Sequence, residues 1–154
     1  MIAFMGNAAD DQKTEHAAAL AQDLRGIAGK LKRRLREQSN AGDLTPSQTS
    51  VLLRLEKDGP ATTSALARME RMRPQSMGSV IAALEAAGLV SGAPDPADGR
   101  QTLLSLTEAC REWIREGRAA RQDWLSRTIR ARLSLQEQAV IEAALPLLQR
   151  LVDD

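Results

Sequence analysis

Apolar residues recur at helical spacing along the first quarter of the chain. From about residue 16 to residue 37 the apolar positions follow one another at steps of three and four: Leu20, Leu24, Ile27, Leu31 and Leu35. Such steps place side chains on one face of an α-helix. The pattern therefore predicts a long amphipathic first helix, which the turn-forming residues Asn40, Gly42 and Asp43 would end.

Capping signals mark the next two helices. Thr45-Pro46-Ser47-Gln48 has the residue order of a capping box with proline at the first helical position, and Asp58-Gly59-Pro60 supplies a stop. These signals predict a second helix between them. Thr62 is then expected to cap a short third helix that contains Leu66 and Met69.

The segment from residue 73 to residue 106 predicts a fourth helix followed by a β-hairpin. Met77, Val80, Ile81 and Leu84 occupy positions i, i+3, i+4 and i+7, and Gly88 suits the left-handed position after a helix end. Strand segments are expected at 89–91 and 101–106, where apolar and polar residues alternate, with a long polar tip at 92–99.

Two more helices are predicted after the hairpin. Thr107 is expected to cap a fifth helix that contains Trp113 and Trp124, and Ser134 forms a capping box with Glu137 at the start of a sixth. Pro146 interrupts the apolar stripe of the sixth helix, so a kink or a break is expected near it.

This order of elements is that of a winged helix-turn-helix: two short helices joined by a tight turn, followed at once by a hairpin. We predict a mainly α fold with a small β-hairpin wing, as a single domain over residues 1–154. The winged helix-turn-helix occupies 44–106. The amphipathic helices at 12–39 and 107–154 need a covering surface and are predicted to form a homodimer.

The polar face of the fourth helix predicts a contact with double-stranded DNA. Opposite its apolar stripe lie small or hydrogen-bonding residues, with an arginine at the helix start: Arg73, Gln75, Ser76, Gly78, Ser79 and Ala82. Such a face can enter a major groove, and a helix N-terminus favours phosphate. Further phosphate contacts are expected from Arg68 and Arg71.

The hairpin tip carries one arginine beside an aspartate. Arg100 is expected to extend into the minor groove, while Asp98 holds its guanidinium group in place. An ordinary surface turn with an exposed ion pair is the alternative interpretation, and the preceding helices favour the DNA contact.

Composition restricts the remaining functions. Hydrophobic residues make up 43% and aromatic residues 2% of the 154 positions, which favours helices over a β-sandwich. With one cysteine and one histidine, a disulfide within the chain is impossible and a metal site is not expected, nor is a cofactor. No apolar stretch approaches the length of a membrane span, so we expect a cytoplasmic protein without membrane contact.

The net charge of +1 gives no sign of an anionic partner. Phosphate affinity, however, depends on local basic patches. The expected DNA-contacting region contains four positive and four negative residues. They are Arg68, Arg71, Arg73 and Arg100 on the positive side, and Glu70, Glu85, Asp95 and Asp98 on the negative side. This balance predicts modest affinity.

Taken in order, several strings resemble the MarR family of bacterial transcription regulators from about Leu31 to the carboxyl end. They are Leu44-Thr45-Pro46-Ser47-Gln48, Arg73-Pro74-Gln75-Ser76, Leu84-Glu85-Ala86-Ala87-Gly88-Leu89-Val90, Asp98-Gly99-Arg100, Leu106-Thr107-Glu108-Ala109 and Leu133-Ser134. The resemblance implies a ligand-responsive repressor. It also implies dimerisation through the first, fifth and sixth helices, binding to pseudo-palindromic operators, and a small aromatic or phenolic effector. Cys110, where the family pattern has glycine, and Pro146 depart from it.

The remaining candidate residues each have two interpretations. Trp113 and His16 are candidates for an effector pocket, although tryptophans at helical spacing also suit a core or an interface. Cys110 suits either a redox sensor or a small helical residue. No third group orients His16 and Cys110 as a base and a nucleophile, so an enzyme is not expected.

A winged-helix scaffold that has lost DNA binding is the alternative function. The charge balance of the expected DNA-contacting region is what keeps this alternative open. Salt-dependent DNA binding would distinguish a regulator from such a scaffold.

Overall fold

The computed structural model describes residues 5–39 and 43–153, with side chains from residue 8 onward. It contains six helices in this part of the chain: α1 (Met5–Glu37), α2 (Pro46–Asp58), α3 (Thr63–Met69), α4 (Pro74–Ala86), α5 (Glu108–Arg132) and α6 (Leu135–Gln149). The strands are β1 (Ala61–Thr62), β2 (Val90–Pro94) and β3 (Thr102–Leu106). The predicted mainly helical fold with a small wing is confirmed.

The chain divides into two compact units. The terminal unit consists of the described residues up to Gln38 and from Trp124 onward, and the central unit is Ser39–Asp123. In the terminal unit the guanidinium of Arg34 lies 5.8 Å from the ring centroid of Trp124, a cation–π contact between α1 and α5. The central unit contains α2, α3, α4 and all three strands.

The predicted helix caps are present. The Thr45 side chain accepts a hydrogen bond from the Gln48 backbone, and the Gln48 side chain accepts one from the Thr45 backbone, at 3.2 and 2.9 Å. Ser134 and Glu137 form the same reciprocal pair at 3.1 and 3.0 Å. The Thr62 hydroxyl accepts from the Ala65 amide. These bonds satisfy amide groups that have no partner inside their helices, and so they fix where α2, α3 and α6 begin.

A core inside the central unit holds α4 in place. Every residue of this core lies between residues 51 and 114: Val51, Leu52, Leu55, Leu66, Ala67, Met77, Ile81, Leu84, Val90, Leu104, Leu106, Cys110 and Ile114. α2, α3 and α4 contribute from the helical side, and β2 and β3 contribute from the sheet. Burial of these apolar side chains is the main force that orients the three short helices.

The sheet has one strand more than the sequence predicts. Its order is β1-β3-β2, and both pairings are antiparallel. β1 is only two residues long and lies between the Gly59-Pro60 turn and the α3 cap, where no alternation of apolar and polar residues reveals it. β2 also reaches Pro94, so the prediction that its strand ends at Ser91 is wrong. The backbone pairing of Gly92 and Ala93 with β3 extends it.

Three other sequence predictions concern where helices begin, continue or end. α1 begins at Met5 rather than near residue 16, and the strong helix formers Ala8, Ala9, Gln12, Lys13 and Glu15 favour helix before the apolar stripe starts. A kink or a break is predicted at Pro146; the break is wrong, since α6 continues through this residue. Pro146 lies in the last turn of the helix, so the backbone donor that it lacks removes one hydrogen bond near the end of α6 and leaves the earlier turns in place. The predicted turn residues Asn40 and Gly42 lie outside the described residues.

None of the helices in the described ranges 5–39 and 43–153 is both long and apolar enough to span a membrane.

A part-buried polar cluster joins α2 to the end of α3. Glu70 accepts hydrogen bonds from Arg54 Nε at 2.6 Å and from the Ser50 hydroxyl at 2.7 Å. Arg54 also lies 3.6 Å from Asp58. The hydrogen bonds from Arg54 and Ser50 lower the pKa of the Glu70 carboxyl group below its ordinary range. The cluster ties the turn between α3 and α4 to α2.

The charge of Glu70 should make the stability of the fold depend on pH. A carboxyl group whose pKa is lowered by folding stabilises the fold above its unfolded pKa, about 4.3, and this contribution is lost as the pH falls through the folded pKa. We expect Glu70→Gln to lower the free energy of unfolding by about 1 kcal/mol near pH 7, because a hydrogen-bonded charge is removed. Urea unfolding monitored by circular dichroism measures it.

The difference between Glu70→Gln and the unmodified chain should narrow below about pH 4. Glu116→Gln, which changes an exposed carboxylate on α5, is the matched control and should have little effect. A stability difference that stayed constant from neutral to acid pH would contradict a role for the Glu70 charge.

Candidate nucleic-acid interface

The two faces of α4 differ sharply in exposure. Met77, Ile81 and Leu84 are buried in the core. The side opposite them is exposed at Gln75, Ser76, Ser79 and Ala82, with Gly78 partly covered. Since the buried residues fix the rotation of the helix about its axis, a polar surface of small side chains must face outward.

The N-terminus of α4 is open to an anion. Arg73 is the N-cap residue and makes no side-chain capping hydrogen bond, and Pro74 follows it at the first helical position. The first-turn amides of a helix have no acceptor within the helix, and the helix dipole makes this end positive. Phosphate groups bind well at such an end.

Three exposed arginines surround this helix start. Arg68 lies at the end of α3, and Arg71 and Arg73 lie in the turn before α4. All three side chains are exposed. Within the ranges the structure describes, the ion pairs leave these three guanidinium groups unpaired, whereas the neighbouring Glu70 is paired with Arg54. Their charge is therefore available to a partner.

Arg54 is the residue that sequence reasoning missed. It lies 16 positions before Glu70, so neither helical spacing nor a local motif connects the two. Its ion pair changes the apparent charge balance, because it neutralises one of the four acidic residues in this region. Glu70 therefore presents no unpaired carboxylate beside the exposed Arg71 and Arg73.

The wing tip is a turn organised by two aspartates. Asp98 accepts hydrogen bonds from the Arg100 backbone amide at 3.1 Å and from Arg100 Nε at 3.3 Å, as the sequence predicts. Asp95 accepts from the Ala97 amide at 2.9 Å, and its own amide donates to the Gln101 carbonyl. The Arg100 side chain is 94% exposed, so the hydrogen-bonded turn presents its cation to solvent.

Gly92 sets the close approach of the two wing strands. It pairs with Leu104, and a β-carbon built at Gly92 would lie 2.6 Å from the Thr102 methyl carbon. That distance is shorter than any real contact, so a larger residue there would require the Thr102 side chain or the strand backbone to shift. Glycine at this position therefore suits the close packing of the two wing strands.

Comparison with known proteins shows where this arrangement belongs. A model of the MarR family matches residues 44–102. An uncharacterized HTH-type transcriptional regulator of Mycobacterium bovis is 41% identical over 137 residues, which are 89% of this chain and 95% of the relative. The chain belongs to the MarR family. It is a DNA-binding transcription regulator.

Solved structures agree with this assignment. A putative transcriptional regulator of Pseudomonas aeruginosa is 35% identical, with a TM-score of 0.73, and the match covers 88% of this chain and 95% of that one. A Staphylococcus aureus MepR mutant, solved with a bound oligodeoxyribonucleotide, shares the fold at 20% identity. Its TM-score is 0.68, with 87% of this chain and 98% of that chain covered.

The residues assigned to an effector pocket lie in different units of this MarR-family regulator. His16 is exposed on α1, in the terminal unit. Trp113, on α5, is partly buried and packs against the core of the central unit. The core contact of Trp113 agrees with the alternative interpretation of this tryptophan.

Cys110 stands at a position where the MarR-family pattern has glycine, and its side chain is buried. Its side chain is part of the core, and burial raises the pKa of its thiol above the ordinary value. Reactive cysteines have a lowered pKa and are accessible, so the structure favours the small core residue over the redox sensor.

Over the described ranges no group of three or more histidine, cysteine or acidic side chains is placed to hold a metal ion.

Proposed function

We propose that this regulator is a cytoplasmic homodimer that represses transcription by binding pseudo-palindromic operators. The observation that carries the proposal is the exposed polar face of α4 beside three unpaired arginines. Gln75, Ser76, Gly78 and Ser79 read the major groove. Arg68, Arg71 and Arg73 contact phosphates, which gives most of the affinity.

The wing completes the proposed contact. Arg100 enters the minor groove, and Asp98 keeps the tip in shape. The exposed ion pair between them is weak, so the guanidinium can exchange Asp98 for DNA at little cost. The MepR mutant, which shares the fold, was solved with a bound oligodeoxyribonucleotide, and this supports DNA binding by such a fold.

The terminal unit supports the dimer. No residue of α6, which the structure describes in full, is buried in the single chain. Leu135 is 79% and Val140 70% exposed, and α1 exposes Leu20 and Ile27. Apolar surface of this extent marks an interaction site. We assign it to a second copy of the chain through the helices in 12–39 and 107–154.

A small aromatic or phenolic effector is part of the proposal. Its support is the family resemblance, together with the partly exposed ring of Trp113. His16, in the terminal unit, stays a candidate from the sequence alone. Binding of the effector weakens binding to the operator.

The proposed DNA contact of the polar face of α4 is tested by placing a carboxylate at the centre of that face. Ser79 is exposed, so Ser79→Glu should leave the fold intact and place a negative charge against the DNA phosphates. We expect a loss of affinity of about tenfold to hundredfold. Fluorescence anisotropy measures it, with a duplex chosen from the genomic fragments that the purified chain retains.

Ser79→Gln is the matched control, because it adds similar bulk without charge. It should lose less affinity than Ser79→Glu, and the circular dichroism spectra of both variants should equal that of the unmodified chain. If Ser79→Glu bound the duplex as well as the unmodified chain does, α4 would not face the DNA.

The wing is tested by removing its guanidinium group. Arg100→Ala should cost about 1 to 3 kcal/mol of operator binding and leave dimerisation unchanged, because the side chain is 94% exposed and pairs with Asp98 on the same turn. Titrations of the duplex at several salt concentrations measure the loss. Arg100→Lys keeps the charge and should retain part of the affinity. Equal affinity of all three proteins would exclude the wing from the interface.

The dimer is tested by charges on the outward face of α6. Val140 and Leu147 lie seven residues apart on one face, and both are exposed in the single chain. We expect the double variant Val140→Glu/Leu147→Glu to sediment as a single chain of 16.7 kDa, while the unmodified chain sediments as a dimer. Gln136→Glu adds a charge without removing apolar surface and should stay dimeric. A monomeric unmodified chain at micromolar concentration would contradict the proposed assembly.

A further inference from the structure

The turn between α3 and α4 contains a backbone conformation that ordinarily favours glycine. Arg71 has a φ angle of +53°, and among the described residues it alone, apart from glycines, has positive φ. Its amide donates to the Arg68 carbonyl at 3.2 Å, and the Met72 amide donates to the Ala67 carbonyl at 2.8 Å. These two bonds form a Schellman motif with Arg71 in the left-handed position.

The end of α4 provides an internal comparison. The Gly88 amide donates to the Glu85 carbonyl, and the Leu89 amide donates to the Leu84 carbonyl, both at 3.0 Å. Gly88 has a φ angle of +73°. The chain therefore builds the same helix end twice, with glycine at the second end and arginine at the first. A β-carbon makes the left-handed conformation unfavourable, so Arg71 costs stability that glycine would not.

The neighbours of Arg71 hold it in this conformation. Glu70, the residue before it, is fixed to α2 by Arg54 and Ser50. Met72, the residue after it, packs against the core. A strained residue persists where the surrounding structure determines its backbone on both sides, and such residues are concentrated at functional sites.

The side chain of Arg71 takes no part in holding the turn. It is exposed, and within the described part of the chain its guanidinium forms no ion pair and no hydrogen bond. It stands two residues before the N-cap of α4, between the exposed arginines 68 and 73. A cation in this place adds to the positive end of the helix, where an anion is favoured.

We propose that Arg71 occupies a position suited to glycine because its guanidinium binds a DNA backbone phosphate beside the N-terminus of α4. The inference rests on the proposed use of α4 as the DNA-contacting helix. The turn thus gives up stability of the free protein in exchange for affinity. Replacing Arg71 should move these two properties in opposite directions, which a purely structural role would not do.

Arg71→Gly is the decisive variant. Removal of the β-carbon should raise Tm by about 2–4 °C, as expected for a favoured left-handed glycine. Removal of the guanidinium should lower affinity for the retained duplex about tenfold and reduce the slope of log K against log salt by about one. Arg71→Ala keeps the β-carbon, so it should lose the same affinity without the rise in Tm.

Gly88→Ala is the matched control at the other helix end. A β-carbon there meets no atom within 4 Å, so the change adds only the backbone cost. It should lower Tm while leaving the salt slope unchanged, because no cation is removed. Arg71→Lys should keep both Tm and most of the affinity.

The outcomes separate this inference from the function on which it rests. If Arg71→Gly raised Tm but bound the duplex with the affinity and salt slope of the unmodified chain, the phosphate contact of Arg71 would be wrong, while the role of α4 would stand. A fall in Tm would also overturn it, since the side chain would then stabilise the fold. No salt-dependent binding by the unmodified chain would overturn both.

Discussion

The burial of one face of α4 is the constraint on which the rest of the structure depends. Met77 and Leu84 are completely buried, and they lie seven residues apart, two turns along the same face. Because Gln75 and Ser79 lie on the opposite side of the helix, burial of this face turns their side chains toward solvent. The proposed DNA-contacting surface is thus a consequence of core packing, and a change that loosened the core would misdirect it without touching an exposed residue.

The net charge of the chain is only +1, and several of its carboxylates are engaged by arginines of the same chain. Glu70 is held by Arg54, Glu56 by Arg118, and Glu112 by Arg115. The pair at Glu70 engages the carboxylate nearest in sequence to the start of α4, where Arg68, Arg71 and Arg73 form no ion pair within the described residues. Phosphate binding depends on the local potential, so the distribution of ion pairs decides more than the total charge.

Local signals in the sequence predicted most of the fold. The capping boxes at Thr45 and Ser134 and the helix stop at Gly88 each depend on residues within four positions, and all are present. Features that depend on distant partners were not predictable: β1 exists only through its pairing with β3, and the Arg54–Glu70 pair spans 16 residues. The left-handed Arg71 contradicts local preference, so propensity alone predicts against it.

The location of the buried residues implies that the helices of the terminal unit depend for stability on binding to a further surface. All thirteen buried hydrophobic residues of the described chain lie between residues 51 and 114, in the central unit. α1 is 33 residues long, yet its described side chains are exposed apart from partial cover at Leu24 and Leu35. A helix gains most of its stability from packing an apolar face. The proposed second copy of the chain would stabilise α1 and α6 as it binds, and the pairing of two DNA-contacting units would then depend on protein concentration.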